Sequence, residues 1–348
     1  MTDGVTAAHG TGGHGEPADA PVSAWVLGAD SGGSGLRITL AAVPEGGAPQ
    51  TVGTVTSTEP VRTGAQGIDA EHMLAQLVPA ARELLERAGE RAQAAGLRSV
   101  CVGAAGMATL GGQLRAELPA ALTREFSVRR IALAADAVTA YAGALGQLPG
   151  AVVAGGTGLI AMGTDLRNWR RADGWGHLLG DCGSGAWIGQ AGLQAAMRAY
   201  DGREGGSAAL RERAEAVFGA PLSGLPAQLY PRTDRPAVLA SFAPEVAACA
   251  DRDTAASEIL RAAAQEIATA AAAVCPAEEG VSVAVTGGLF RIGEPLLAPL
   301  REQLHRRAPH AHLTEPAGDP LDGALLIAAR LSSDALRLPQ DPALLSLT

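Results

Sequence analysis

The chain has 348 residues, of which 47% are hydrophobic and 18% charged, and its formal net charge is −9. This length is about twice the ~150 residues of an average domain, so we expect two domains, each with a largely aliphatic core. All 27 basic residues are arginine. The lack of lysine excludes a P-loop lysine, a Schiff-base lysine and the strand lysine of protein kinases. A lysine-free chain that handles phosphate must use backbone amides, arginine or metal.

Charge and hydropathy exclude further classes of protein. No basic stretch offers a nucleic-acid surface, and no apolar run approaches the ~18 residues of a membrane helix. Residues 1–22 are rich in glycine and lack the apolar segment of a signal peptide, so we predict a disordered N-terminal tail. The cysteines have no metal-ligand spacing and are typical of reduced thiols, which favours the cytoplasm. They are Cys101, Cys182, Cys249 and Cys275.

Apolar runs that end at glycine or other small residues predict the strands of the first half. These strands cover residues 25–31, 36–43, 51–57, 99–106 and 131–136. Apolar residues at helical spacing predict three helices between and after them. These helices cover residues 68–96, 112–126 and 136–144. The first half therefore has the order βββαβαβα, in which helices pack against a mixed sheet.

The same opening recurs after residue 150, where three strands are again joined by short turns. Strands are predicted over 151–155, 159–163, 169–172 and 281–286, with a short one near 312–313. Helices are predicted over 184–200, 204–218, 236–250, 254–274, 293–307 and 323–336. Two halves with one pattern indicate an internal structural repeat. We predict a first domain of residues 23–141 plus 325–338 and a second domain of residues 142–324.

Three glycine turns follow predicted strands, which is where ligands bind in open α/β sheets. They read D-S-G-G-S-G at 30–35, G-G-T-G at 155–158 and T-G-G at 286–288. Glycine lets backbone N–H groups approach an anion closely, and Ser34 and Thr157 add hydroxyls to the first two turns. One such turn is an ordinary hairpin, but two at equivalent places in two halves could grip a phosphate chain from both sides.

Carboxylates accompany these turns. Asp136 ends one strand and begins a helix, so it serves either as a helix cap or as a general base that points into a cleft. Asp30, at the end of the first strand, could hold a metal-bound water. The segment 173–189 combines many glycines with two tryptophans and Asp181. That composition is typical of a loop that wraps a polar ligand.

In their order along the chain, these motifs resemble the BadF/BadG/BcrA/BcrD ATPase family, and within it the N-acetylglucosamine and glucosamine kinases. The motifs are D-S-G-G-S-G-x-R at 30–37, A-A-D-A at 134–137, G-G-T-G at 155–158, G-W-G-H-L-L-G-D-C-G-S-G-A-W-I-G at 174–189, T-G-G-L-F at 286–290 and D-G-A-L-L-I-A at 322–328. The resemblance implies an α/β fold of two RNase H-like, actin-like ATPase domains around an interdomain cleft. It also implies ATP and Mg²⁺ as cofactors, an amino sugar phosphorylated on its 6-hydroxyl, and the homodimer that family members often form.

The same resemblance implies a role for each motif. Asp136 would be the catalytic base that activates the sugar hydroxyl, and Asp30 would organise Mg²⁺. The phosphate-contacting residues would be Gly32, Gly33 and Ser34 in the first turn and Gly156, Thr157 and Gly158 in the second. The sugar-binding residues would be Trp175, Gly176 and Asp181, and the adenosine motif would be Gly287 with Gly288.

The sequence departs from the family pattern in three places, and two of them bear on the substrate. The first turn reads D-S-G-G-S where the family usually has D-G-G-G-T, and Ser34 keeps the hydroxyl. Cys182 replaces the glutamate of the usual G-D-E-G-S, and residues 62–69 lack the sugar-contacting asparagine. The last two changes lie on the sugar side. The acceptor therefore stays open among N-acetylglucosamine, glucosamine and a rarer amino sugar.

Two alternative functions remain. One is the activator ATPase of a radical 2-hydroxyacyl-CoA dehydratase system, in which Cys101 and Cys182 would have to hold an iron–sulfur cluster between subunits. The other is a non-catalytic sugar sensor, although three retained aspartates, Asp30, Asp136 and Asp181, argue against it.

Overall fold

The computed structural model describes residues 22–33, 35–64 and 67–348. Of the predicted tail, residues 1–21 lie outside these ranges, whereas Val22 already belongs to the first strand. The strands are β1 (Val22–Gly32), β2 (Gly35–Pro44), β3 (Gln50–Ser57), β4 (Thr63–Gly64), β5 (Gly67–Ile68), β6 (Ser99–Ala104), β7 (Ile131–Ala135), β8 (Gly150–Gly155), β9 (Leu159–Thr164), β10 (Trp169–Asp173), β11 (Val281–Thr286), β12 (Ala311–Thr314) and β13 (Leu345–Leu347).

Helices connect and cover these strands. They are α1 (Ala70–Arg87), α2 (Glu90–Ala95), α3 (Met107–Leu110), α4 (Gly112–Phe126), α5 (Asp136–Leu145), α6 (Gly185–Tyr200), α7 (Ala208–Phe218), α8 (Leu225–Leu229), α9 (Arg235–Ala240), α10 (Ala243–Cys249), α11 (Thr254–Val274), α12 (Glu294–Arg307) and α13 (Pro320–Ser332). Short 3-10 turns cover Leu222–Gly224 and Gly288–Ile292. Within the described ranges, no helix is both long enough and apolar enough to span a membrane.

The two main sheets repeat one topology. The first has the order β3-β2-β1-β6-β7, and the second has the order β10-β9-β8-β11-β12. In each, an antiparallel three-strand meander is followed by two parallel strands reached through helical crossovers. The repeat predicted from the sequence is thus present in the strand order. The first sheet differs in one way, because β13 pairs antiparallel with β7 at its edge.

Helices α5 and α13 lie between the two sheets and pack against each other. Helix α13 follows the second sheet along the chain, yet it packs on β1 and β6 of the first, where the buried Ser99 hydroxyl donates to the Ala328 carbonyl at 2.6 Å. Helix α5 also reaches the second sheet, and its buried Tyr141 ring meets Trp169 edge-on with the ring centroids 5.2 Å apart. The domain limits given above stay a prediction.

Several predicted helices are interrupted in the structure. The prediction of one helix over 68–96 is wrong, because the chain breaks between α1 and α2 at Gly89, whose φ of 86° is left-handed. The predicted helix over 236–250 is two helices, since Pro244 lacks an N–H and occupies the first turn of α10. The closing helix begins earlier than predicted, at Pro320, because Asp319 caps it with a reciprocal capping box to Asp322.

Candidate active site

A cavity of about 670 Å³ opens where the carboxyl ends of strands from both sheets face each other. It brings together the predicted residues Asp30, Gly32, Gly33, Asp136, Gly156, Thr157, Gly158, Asp181, Gly287 and Gly288. Trp175 and Gly176 lie on the adjoining loop rather than in the lining, and Ser34 lies outside the described residues. A larger cavity of about 820 Å³ beside Trp25 and Arg98 contains none of the predicted residues. The chemistry therefore points to the smaller cavity as the candidate active site.

The turns of the first two glycine motifs leave room for a ligand. A side chain added at Gly32, Gly33 or Gly156 would meet nothing within 4 Å. The second turn is supported from behind by helix α6, whose first amides donate to it: Gly185 N–H to the Gly156 carbonyl at 2.9 Å and Ala186 N–H to the Thr157 carbonyl at 3.1 Å. Backbone held in this way, beside open space, suits an anion that needs closely approached N–H donors.

The third turn requires glycine for a steric reason. Gly287 has a φ of 100°, and a Cβ there would overlap the carbonyl oxygen of Gly155. Only glycine lets the end of β11 come this close to the end of β8. Gly288, in contrast, faces open space. The turn thus joins the second glycine motif to the third and leaves one side of the cavity free for a flat group.

Asp136 stands at the start of helix α5, directly after β7, and lies partly buried in the cavity wall. Its Oδ1 accepts the Ala137 N–H at 2.9 Å. Burial raises the pKa of the Asp136 carboxyl, the charge of Asp30 raises it further, and the Ala137 bond and Arg171 oppose that rise. A carboxylate with a raised pKa is a stronger proton acceptor while it stays ionised, which suits a general base.

Asp30 belongs to a chain of three charged groups. Its cross-strand partner on β2 is Arg37, whose Nη2 lies 2.7 Å from Asp30 Oδ2. The other terminal nitrogen of Arg37 lies 2.6 Å from Oδ2 of Asp319, the N-cap of α13. Arg37 and Asp319 were not among the predicted site residues. Cross-strand pairing in a tight hairpin was the signal for Arg37, whereas nothing in the sequence brings Asp319 to this place.

The cavity can accommodate Mg²⁺ only together with other ligands. In the part of the chain that the structure describes, no group of three or more His, Cys, Asp or Glu side chains could hold a metal ion. Mg²⁺ keeps several waters and commonly binds through one or two carboxylates plus substrate phosphates. Asp30, beside the open glycine turns, fits that kind of site.

Asp173 organises the glycine-rich segment 173–189. Its Oδ1 accepts the N–H groups of Gly174 at 2.7 Å and Asp181 at 2.6 Å, and its Oδ2 accepts that of Cys182 at 2.8 Å. Asp173 and Asp181 both have left-handed φ values, 62° and 54°. Asp173 was not among the predicted site residues. An aspartate before a glycine turn was the available signal, because its side chain readily accepts nearby backbone N–H groups.

Asp181 connects this segment with the second glycine turn. A Cβ at Gly158 would come within 2.7 Å of the Asp181 carboxylate. Burial raises the pKa of Asp181 and the charge of Asp173 raises it further, while the nearby backbone N–H groups of Leu159 and Gly176 oppose that rise. Trp175, beside it, exposes 62% of its surface.

The cysteines bear on one alternative function. Cys101 lies in the middle of β6, is fully buried, and has its thiol pKa raised by that burial. Cys182 is only partly buried, on the glycine-rich segment 173–189. A cluster bridged between subunits needs thiolates at a shared surface, so the placement of Cys101 argues against the activator ATPase.

Known proteins resemble this chain over different lengths. A sequence model of the BadF/BadG/BcrA/BcrD ATPase family matches residues 27–328. An N-acetylmuramic acid/N-acetylglucosamine kinase from Clostridium acetobutylicum is 39% identical over 75 residues, which are 21% of this chain and 24% of that enzyme. The aligned part thus spans about a quarter of this relative.

Two solved structures cover nearly the whole chain, and both are named as candidate N-acetylglucosamine kinases. The one from Chromobacterium violaceum has a TM-score of 0.63 and 29% identity, covering 88% of this chain and 99% of its own. The one from Porphyromonas gingivalis has a TM-score of 0.63 and 18% identity, covering 89% and 99%. At that identity the second likeness shows the fold alone. The predicted actin-like ATPase fold is confirmed.

Proposed function

The chain belongs to the BadF/BadG/BcrA/BcrD ATPase family, and from this premise we propose that it is an ATP-dependent kinase of the 6-hydroxyl of an amino sugar, N-acetylglucosamine or glucosamine. One observation carries the proposal. Asp136, a partly buried carboxylate with a raised pKa, lines the same cavity as all three glycine turns. A general base beside a phosphate cradle is the arrangement that phosphoryl transfer to a hydroxyl needs.

The glycine turns would hold the nucleotide. Backbone donors of the first and second turns would bind the triphosphate from opposite sides, with Thr157 adding its hydroxyl, and Gly288 would leave space for the adenosine. Mg²⁺, when bound, would neutralise phosphate charge. Asp30 would orient it, because this carboxylate lines the cavity beside the glycine turns and Mg²⁺ commonly binds through one or two carboxylates plus substrate phosphates. ATP and Mg²⁺ are therefore the proposed cofactors.

Asp136 would carry the acid–base step. It would accept the proton of the sugar 6-hydroxyl while the oxygen attacks the γ-phosphorus and the bond to ADP breaks. Phosphoryl transfer depends mainly on positioning and charge stabilisation, so a chain without lysine can perform it. Closure of the two sheets around the cavity would exclude water and limit ATP hydrolysis.

The sugar would lie against the segment that begins at Asp173. Trp175 presents an exposed ring to the sugar. The Asp181 carboxylate would accept hydrogen bonds from sugar hydroxyls, and the Gly176 backbone would complete the binding surface. The amino-sugar assignment is supported by the names of the relatives in Clostridium acetobutylicum and Chromobacterium violaceum. The homodimer and the cytoplasmic location stay predictions, which size-exclusion chromatography and cell fractionation would test.

The decisive experiment is a panel of sugars and amino sugars incubated with ATP and Mg²⁺, in which ADP release is measured. We expect the fastest release with N-acetylglucosamine or glucosamine, and loss of the product when the acceptor lacks a 6-hydroxyl. If sugars bind but none of the panel causes ADP release, the result would contradict the kinase and favour the sensor.

A further inference from the structure

The candidate cleft has an unusual charge balance for a site that would bind a triphosphate. Three carboxylates line it, those of Asp30, Asp136 and Asp181. Among the described residues that line the cavity, Arg171 is the one basic side chain. The whole chain contains no lysine. Without Arg171, a highly anionic ligand would meet a negatively charged wall.

Arg171 is held rigidly on β10. Its Nε donates to the Asp173 carbonyl at 3.1 Å, and its Nη2 donates to the Gly174 carbonyl at 2.6 Å. Its guanidinium carbon lies 4.3 Å from the ring centroid of Trp175, which is cation–π distance. Within the described ranges its Nη1 has no recorded acceptor, so that nitrogen keeps its two hydrogens for a ligand. A preorganised guanidinium of this kind suits phosphate recognition.

The charge of Arg171 also affects the Asp136 carboxyl in the same cavity. Burial raises the pKa of Asp136 and Asp30 raises it too, whereas the charge of Arg171 lowers it. These are the charged groups that face Asp136 from β1 and β10. Arg171 and Asp136 both line the cavity, so one ligand bound there can meet both side chains.

We propose that Arg171 is a positioning residue for both substrates of the proposed kinase. Its charge holds the triphosphate near Asp136, and its planar guanidinium stacks on Trp175 and keeps that ring against the sugar. The part of this inference that concerns the sugar rests on the proposed function, whereas the part that concerns the nucleotide does not. One side chain would then contact both substrates. A merely structural role would consist only of the two bonds to backbone carbonyls.

Two substitutions separate the role of the positive charge from the role of the planar guanidinium. Arg171→Gln removes both the charge and the guanidinium, and Arg171→Lys keeps the charge but lacks the planar fork that stacks and donates twice. The matched control is Arg170→Gln, because Arg170 is the exposed neighbour on the opposite face of the same strand. Thermal unfolding of each variant reports whether the protein as a whole keeps its stability.

ATP affinity is measured first by calorimetry without sugar, and the KM for the best sugar second. We expect Arg171→Gln to weaken ATP binding about tenfold, the scale of one lost charge interaction in a partly buried site. Arg171→Lys should restore ATP affinity to within about threefold while the sugar KM stays about tenfold raised. Arg170→Gln should match the wild type in both.

Unchanged ATP affinity in Arg171→Gln, together with a normal melting temperature, would overturn the proposal. So would equal losses in the lysine and glutamine variants, because they would reflect the carbonyl bonds alone. If no sugar elicits ADP release from the wild type, the proposed function fails. The calorimetric comparison of ATP binding then still decides whether Arg171 holds the nucleotide.

Discussion

The first and second glycine turns occupy equivalent places in the two halves, yet different chemistry holds them. The first is flanked by ion pairs that run from Asp30 through Arg37 to Asp319. The second is held by backbone bonds from the N-terminus of α6 and lies against the Asp181 carboxylate. The first support depends on charge and reaches a distant helix, whereas the second is local and nearly independent of salt. The two halves therefore share one topology but hold their glycine turns by different interactions.

The largest expected effect concerns Asp136, which lines the cavity between the two turns. Asp136→Asn keeps the shape of the side chain but cannot accept a proton, so we expect kcat to fall at least ~10²-fold, the usual scale for a general base. ATP affinity should stay within about twofold, because both glycine turns are intact. Asp251→Asn is the control, because Asp251 is exposed and lies outside the lining of the cavity. Near-wild-type turnover of the Asp136 variant would contradict the assignment of the base.

The next effect tests the close contact behind the second turn. Gly287→Ala forces a side chain onto the Gly155 carbonyl at a left-handed φ, so we expect the free energy of unfolding to fall by about 2 kcal/mol. Gly288→Ala is the matched control, since it faces open space and should cost less than about 0.5 kcal/mol. Chemical denaturation without nucleotide measures both. Equal stabilities would show that the two strand ends can separate freely.

A pH profile tests the environment of the base between the turns. Because burial raises the pKa of Asp136, protonation on acidification should begin above the range of an ordinary aspartate. The base works only when ionised. We therefore expect kcat/KM to be full at higher pH and to fall about tenfold per pH unit below the raised pKa. A profile that stays flat into the range of an ordinary carboxyl, with folding verified by circular dichroism, would contradict this.

The smallest effect is expected at the ion pairs of the first turn. Arg37→Gln leaves Asp30 and Asp319 without their shared cation, so we expect the KM for Mg²⁺–ATP to change about threefold. The side chain of Arg37 is 36% exposed, so the loss of stability should stay below about 1 kcal/mol. Arg301→Gln, which breaks an exposed pair with Glu294, is the control and should change neither quantity. A KM equal to the wild type at low and high salt would mean that Asp30 needs no such partner.

The strands of the repeated order could be predicted because most of them are apolar runs that end at glycine or another small residue, whereas the short strands β4, β5 and β13 have no such signal. The positions of Asp30, Asp136 and the glycine motifs followed, since parallel strands bring their carboxyl ends to one edge. Arg171 and Asp173 escaped prediction because their roles come from bonds to backbone groups of a folded loop. Asp319 escaped for a different reason: its partner lies 282 residues away along the chain.

Helix α13 and strand β13 have a consequence for how the protein is made. The first sheet is completed at its edge by residues 345–347 and covered on one face by residues 320–332. The second sheet is built entirely from residues 150–314. During synthesis on the ribosome, α13 can therefore cover the first sheet only after the second half of the chain has been made, although that sheet's first strands are made earliest.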